Sequence, residues 1–224
     1  MDESRLREEA LRVYHRYATE VVEALGLCPW ARRARLDNRV TRRVILAAEP
    51  TPAEVLPHID AVAGDPDLEI GLLLFPRLDI ELSAFRRFVT AIRQADGERF
   101  PPGGAPLYMA EFHPDAALDK GSPARLVSFI RRTPDPTIQL VRRTVLDAVR
   151  EREQSGTMYL DPTQLAAGEW PDPPDTPLHE RIAQTNFETI EELGFERLTA
   201  ILDDIRADRD RAYARVGDLG PDGD

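Results

Sequence analysis

The chain has 224 residues, 42% hydrophobic and 31% charged, the balance of a soluble globular protein with one well-buried core and room for an appended helical part. Nothing in it approaches the roughly 18 consecutive apolar residues that span a bilayer, and the acidic start Met1-Asp2-Glu3-Ser4 leads into a helical pattern instead of a signal peptide. A net charge of −11 argues against general nucleic-acid binding, whose affinity comes mainly from neutralising phosphates. In chain order, Leu6, Ala10, Val13, Tyr14, Tyr17, Val21, Val22 and Leu25 recur at three- and four-residue steps and predict an amphipathic helix over 4–25. Gly26 suits its left-handed cap. Cys28-Pro29 then reads as N-cap and first residue of a short second helix, because proline there loses no needed N–H. Residues 40–47 are β-branched and strand-like, 52–63 helical, and 69–75 a continuous apolar run of the kind buried on both faces. Residues 79–95 return to helical period, and 107–112 read as a third strand. Two turns are expected next, and then Thr133-Pro-Asp-Pro-Thr137 leading into a helix through about Glu153.

Residues 158–161 suggest a short edge strand. Pro162, Pro171, Pro173, Pro174 and Pro177 mark 161–177 as a surface loop, with Trp170 as its staple. Thr176 is expected to cap a helix from Pro177. A last helix from Phe195 buries Leu198, Ile201, Leu202 and Ile205 and turns polar by Arg209. The expected whole is one α/β domain over 1–215: a small, mostly parallel sheet flanked by helices (core 1–155), with C-terminal helices over 177–215 and a disordered tail over 216–224.

Charge is unevenly spread. From Glu151 onward there are 18 acids and 7 arginines, while residues 1–150 carry 22 acids and 22 bases. Two basic patches stand out: Arg32, Arg33, Arg35, Arg39, Arg42 and Arg43, and then Arg125, Arg131, Arg132, Arg142 and Arg143. Each reads as a solvated face or as a holder of a small anion. Cys28 is the only cysteine, so no internal disulfide forms, which fits a reducing cytoplasm.

Three elements in order, Leu27-Cys28-Pro29-Trp30-Ala31, Phe112-His113-Pro114-Asp115 and the stretch from Thr133 to Arg142, resemble the bacterial family catalogued as domain of unknown function 1415, over roughly residues 8–205. Its members carry Cys-Pro-aromatic-Ala after the first helix, Phe-His-Pro closing a strand, and Ser/Thr-Pro-x-Pro-Thr before a hydrophobic stretch. This chain departs at Asp115-Ala116-Ala117, where an aromatic usually follows, and at Arg131-Arg132, where Asn-Arg is usual. The resemblance implies an α/β fold and a shared Cys/His site, with no settled activity.

An N-cap Cys28 would have its thiolate stabilised by the helix start and by Arg32 one turn on. Alternatively it is a buried apolar cysteine beside Trp30. His113 ends the third strand, where open α/β sheets place their sites, and Asp115 is placed to orient it. Together Cys28, His113 and Asp115 would make a base-activated thiol; a satisfied structural histidine is the competing reading. Cys28 and His113 with Asp115 or Glu111 would also offer three ligands to a metal. However, no CxxC or HxxxH spacing occurs, His15, His58 and His179 are scattered, and Cys-Pro is a weak haem signal. The 133–137 turn, with Thr137 and Arg132 or Arg142, is a rigid helix start or an anion site. No phosphate loop or G-x-S-x-G elbow is present. The leading expectation is a small-molecule enzyme or redox protein using Cys28 and His113, its cofactor unknown, with a small anionic molecule as partner. The alternatives are a non-catalytic binding or scaffold protein with a structural Cys28, and a metal- or haem-binding protein.

Overall fold

The computed structural model of the chain describes residues 2–147 and 177–218. Helix α1 (Glu3–Arg16) starts where the Asp2 carboxylate accepts from the N–H groups of Ser4 and Arg5 at 2.9 and 3.2 Å, satisfying donors that a helix start leaves unpaired. It continues as a π-helical segment, Tyr17–Glu23, in which N–H groups reach five residues back: Ala24 to Thr19 and Leu27 to Val22. Gly26 closes it at φ +62°, as its lack of Cβ allows. The short α2 (Ala31–Leu36) follows.

Four strands form one sheet: β1 (Val40–Val44), β2 (Ile70–Leu74), β3 (Leu107–Phe112) and β4 (Thr137–Arg142), in the order β1-β2-β4-β3. The α/β architecture with flanking helices is as expected. The strand directions are not mostly parallel: β1 and β2 are parallel, but β4 runs antiparallel to both β2 and β3. The cause is a second departure. Thr137-Ile-Gln-Leu-Val-Arg142, read as helix, is strand β4, since it alternates Ile138 and Leu140 on one face with Gln139 and Val141 on the other. Helix resumes only over 143–147. Before it, α5 (Pro123–Ile130) stands where turns were expected, capped by Ser122 and burying Leu126, Phe129 and Ile130.

Helices cover both faces. Helix α3 (Pro52–Ala63) begins with a reciprocal cap between Thr51 and Glu54, and α4 (Leu82–Gly97) carries Phe85, Val89 and Ile92. These two pack with Leu73, Phe75, Ile138 and Leu140 into one core. On the opposite face Ile70, Leu72, Leu74 and Phe112 meet α1, the π segment, α5, α6 (Leu178–Leu193) and α7 (Phe195–Asp218). Helix α7 does not turn outward at Arg209. Ala212 and Val216 remain buried, and the Asp135 carboxylate, wholly buried, accepts from Arg209 Nε at 3.0 Å and Tyr213 Oη at 2.6 Å. The 133–137 segment is therefore an anchor for α7 and a lead into β4. The expected tail does not begin at 216, since residues 216–218 belong to α7; the edge strand at 158–161, the loop from 161 to 176 with Trp170, the Thr176 cap and residues 219–224 lie outside the described residues. Among the described residues no helix is long and apolar enough to cross a membrane.

The α3 layer approaches β2 closely at Gly71, where an added Cβ would lie 2.8 and 3.0 Å from the two methyls of Val62. Gly71→Ala is expected to lower stability by about 1–3 kcal/mol, read as a lower urea midpoint. The same change in a Val62→Ala background should cost less, and an equal cost would show that this contact is not the cause.

A candidate anion-binding cavity beside Cys28

A cavity of about 1550 Å³ opens between the sheet face formed by Leu72, Gln139 and Ala110 and the helices α1, α5 and α6. It exceeds the roughly 300–1000 Å³ of most small-molecule pockets, and its wall is mainly apolar and aromatic. Cys28 lines it. The residue lies two positions ahead of Trp30, which occupies the N-cap of α2, so Cys28 is not itself the cap. Instead, Cys28-Pro29-Trp30-Ala31 is a tight turn closed by Ala31 N–H to Cys28 O at 3.3 Å. Asn186 on α6 holds this turn by donating its amide to Leu27 O at 3.1 Å.

The half-buried thiol is pushed above its ordinary range by burial, against the opposing pull of the Trp30 and Ala31 N–H groups and of Arg131. This is opposite to the expected stabilised thiolate. Desolvation outweighs those pulls, since burial disfavours the charged form of the thiol. Arg32, expected to assist, is exposed on the outer side of α2 and is not among the residues lining the cavity.

The cavity holds three arginines, Arg35, Arg42 and Arg131, besides Arg181 on α6. Arg35 is neutralised by a two-point pair with Glu23 at 2.7 and 2.8 Å. Arg42 and Arg131 have no acidic partner among the described residues. Each lies on an aromatic ring instead, Arg42 5.8 Å from the centroid of Tyr14 and Arg131 5.3 Å from that of Phe112. Arg42 Nε is buried with no hydrogen bond. Burial pulls the Arg131 guanidinium below its ordinary range, only partly offset by Glu111 and Tyr17. The carbonyl of Ile130, the residue before Arg131, accepts from Tyr17 Oη at 2.6 Å, so the π segment fixes the end of α5. Burial raises both Tyr14 and Tyr17, which stay neutral hydroxyls.

The other residues singled out in the sequence are placed elsewhere. His113 is buried, its Nε2 donating to Ile80 O at 3.0 Å and its Nδ1 accepting from Asp115 N–H at 3.1 Å. Its ring packs on Phe85, in the core opposite Cys28. Burial holds it below the usual histidine range, so it is a neutral imidazole with both nitrogens engaged. The Asp115 carboxylate pairs with Arg206 at 2.7 Å, leaving only its backbone to orient the ring. Arg132 donates to Pro114 O at 2.9 Å and pairs with Asp203. Arg142 clamps the end of α3 through the carbonyls of Val62, Ala63, Asp65 and Leu68. Thr137 donates to Asp135 O at 2.9 Å. These groups are occupied in holding the fold. Among the described residues no three His, Cys, Asp or Glu side chains are grouped to hold a metal ion.

Sequence reasoning placed Arg42 and Arg131 in two separate basic patches, each read as a solvated face or a holder of a small anion, and singled out neither residue. A signal for Arg42 was present: it alternates with Val40 and Val44 on the inward face of β1, an apolar position for a strand. Arg131 was hidden because α5, which delivers it, was read as turns. Alkylation of Cys28 in the native protein is expected to reach half-rate at a pH above that of a free thiol, about 8.5. Arg131→Gln should move the half-point higher still, because it removes a charge that favours the thiolate. A native half-point below the free-thiol value would contradict this description of the site.

Comparison with known proteins bears on the family alone. No curated protein and no solved structure matches the chain. A family model described as protein of unknown function (DUF1415) matches residues 10–160, a span that takes in Cys28, Arg42, His113, Arg131 and the 133–137 segment. The chain belongs to the DUF1415 family.

Proposed function

We propose that the protein binds a small organic anion, a carboxylate or phosphate carried on an apolar body, in the cavity beside Cys28. The observation that carries this reading is the pair Arg42 and Arg131, two guanidiniums facing one cavity without an acidic partner. A desolvated charge left uncompensated costs on the order of several kcal/mol. A fold that keeps two such charges beside an apolar space is complemented by an anion that enters it. The ring contacts with Tyr14 and Phe112 use no N–H donor of either guanidinium, which leaves those donors available for an oxyanion. Cys28 serves as a neutral, polarisable part of the wall. Nucleophilic or redox use of the thiol would need a base to ionise it, and the one buried histidine has both nitrogens engaged on the far side of the sheet. The binding-protein reading is therefore favoured over the enzyme.

Calorimetric titration with benzoate, phenyl phosphate and inorganic phosphate tests this. At least one organic anion should bind saturably, and Arg42→Gln and Arg131→Gln should each weaken it by about tenfold or more, as expected for a lost charge-assisted hydrogen bond. Arg32→Gln, on the exposed side of α2, should leave the affinity unchanged. Absence of binding to wild type, or equal affinity in folded Arg42→Gln and Arg131→Gln proteins, would contradict the proposal.

A further inference from the structure

The register of the sheet says where the two free guanidiniums stand. Arg42 on β1 is level with Leu72 on β2, Leu72 with Gln139 on β4, and Gln139 with Ala110 on β3. All four line the cavity, so its floor is a single row crossing the whole sheet. Arg42 stands at the β1 end of that row. At the other end Phe112, two residues beyond Ala110 on the same face of β3, carries the Arg131 guanidinium over its ring. The β1 and β3 backbones are three strand spacings apart, roughly 14 Å, with Arg42 on the first and the ring that carries Arg131 on the second. Between them the floor is Leu72 and Gln139, and Cys28, Ile70 and Val141 line the same cavity. Among the described residues the acids lining this cavity are engaged elsewhere, since Glu23 is taken by Arg35 and Glu180 stands exposed beside His179.

From this arrangement we infer that the ligand carries two anionic groups joined by an apolar or weakly polar segment, one end on Arg42, the other on Arg131, with its middle passing Cys28. The inference rests on the anion-binding reading above and narrows it to a ligand class, two-ended acids. A single carboxylate can occupy one edge of the floor but leaves the opposite guanidinium uncompensated. A diacid of sufficient length compensates both. The Gln139 amide, one strand in from β3, can meet a polar group in the ligand's body, while Leu72 and Ile70 favour methylenes.

The test is a calorimetric series of α,ω-dicarboxylates from succinate to sebacate, each measured beside its monomethyl ester, on the full chain. The expected result is an affinity maximum beyond succinate, with the best diacid binding about tenfold or more tighter than its monoester. Arg42→Gln and Arg131→Gln should each bring that diacid down to the affinity of the monoester. If monoesters bind as tightly as diacids at every length, the two-ended ligand is excluded and the single-anion site stands. If no member of either series binds, the two-ended acid is excluded, and the benzoate and phenyl phosphate titrations decide the single-anion site. The wild-type comparison alone decides between these outcomes, so the inference stays testable even where an arginine variant fails to fold.

Discussion

A guanidinium turned toward an apolar space needs a counter-charge, and the protein meets that need differently at its several inward-facing arginines. Arg209 has Asp135 and Arg35 has Glu23. Arg142 spends its donors on four backbone carbonyls at the end of α3. Among the described residues Arg42 and Arg131 have no acid within pairing distance and lie against Tyr14 and Phe112, with Glu111 acting on Arg131 only from farther off. A ring contact of this kind is worth on the order of 1 kcal/mol, less than the desolvation it accompanies. The two sites are thus unbalanced on their own terms, and the proposed anion would restore the balance. The proposed ligand chemistry and the proposed binding role both depend on that imbalance, whereas the neutral state of Cys28 follows from its burial.

The surrounding fold holds the imbalance in place. The π-helical segment widens the backbone turn just before Cys28, a feature often found near functional sites, and its Tyr17 hydroxyl is tied to the residue ahead of Arg131. Asn186 ties the turn before Cys28 to α6. Helix α7, which closes the layer behind α1, is joined to it where Arg12 and Arg16 meet Asp208. Asp135 fixes the same helix to the entry of β4, the strand that supplies Gln139 and Val141 to the floor. The 133–137 segment therefore acts on the cavity at one remove, by setting β4 and α7.

How much of this was legible in the sequence depends on the range of the interaction concerned. Thr51-Pro52-x-Glu54 announces α3 locally, and the apolar run at β2 announces a strand buried on both faces; both stand where expected. Strand β4 was missed because Thr-Pro-Asp-Pro-Thr resembles a helix start, and only the burial of Ile138 and Leu140 against α3 and α4 decides for strand. With β4 in place the sheet becomes mainly antiparallel, a consequence of one strand inserted between β2 and β3. Cys28 and His113, brought together by the resemblance, lie against different cores on opposite faces of the sheet. Arg42 and Arg131 lie 89 positions apart, and no local pattern links them. Only the sheet register does. Residue chemistry was readable, but which residues share a space was not, because sharing is decided by topology.

The most direct measurement is a nitrogen-15 titration of the arginine Nε–Hε signals with adipate, those of Arg42, Arg131 and Arg35 assigned through their glutamine variants. If the cavity is an anion site built on the two unpaired guanidiniums, the Arg42 and Arg131 signals shift together and saturably, while that of Arg35, already held by Glu23, stays in place. Silent Arg42 and Arg131 signals throughout the titration would contradict the account.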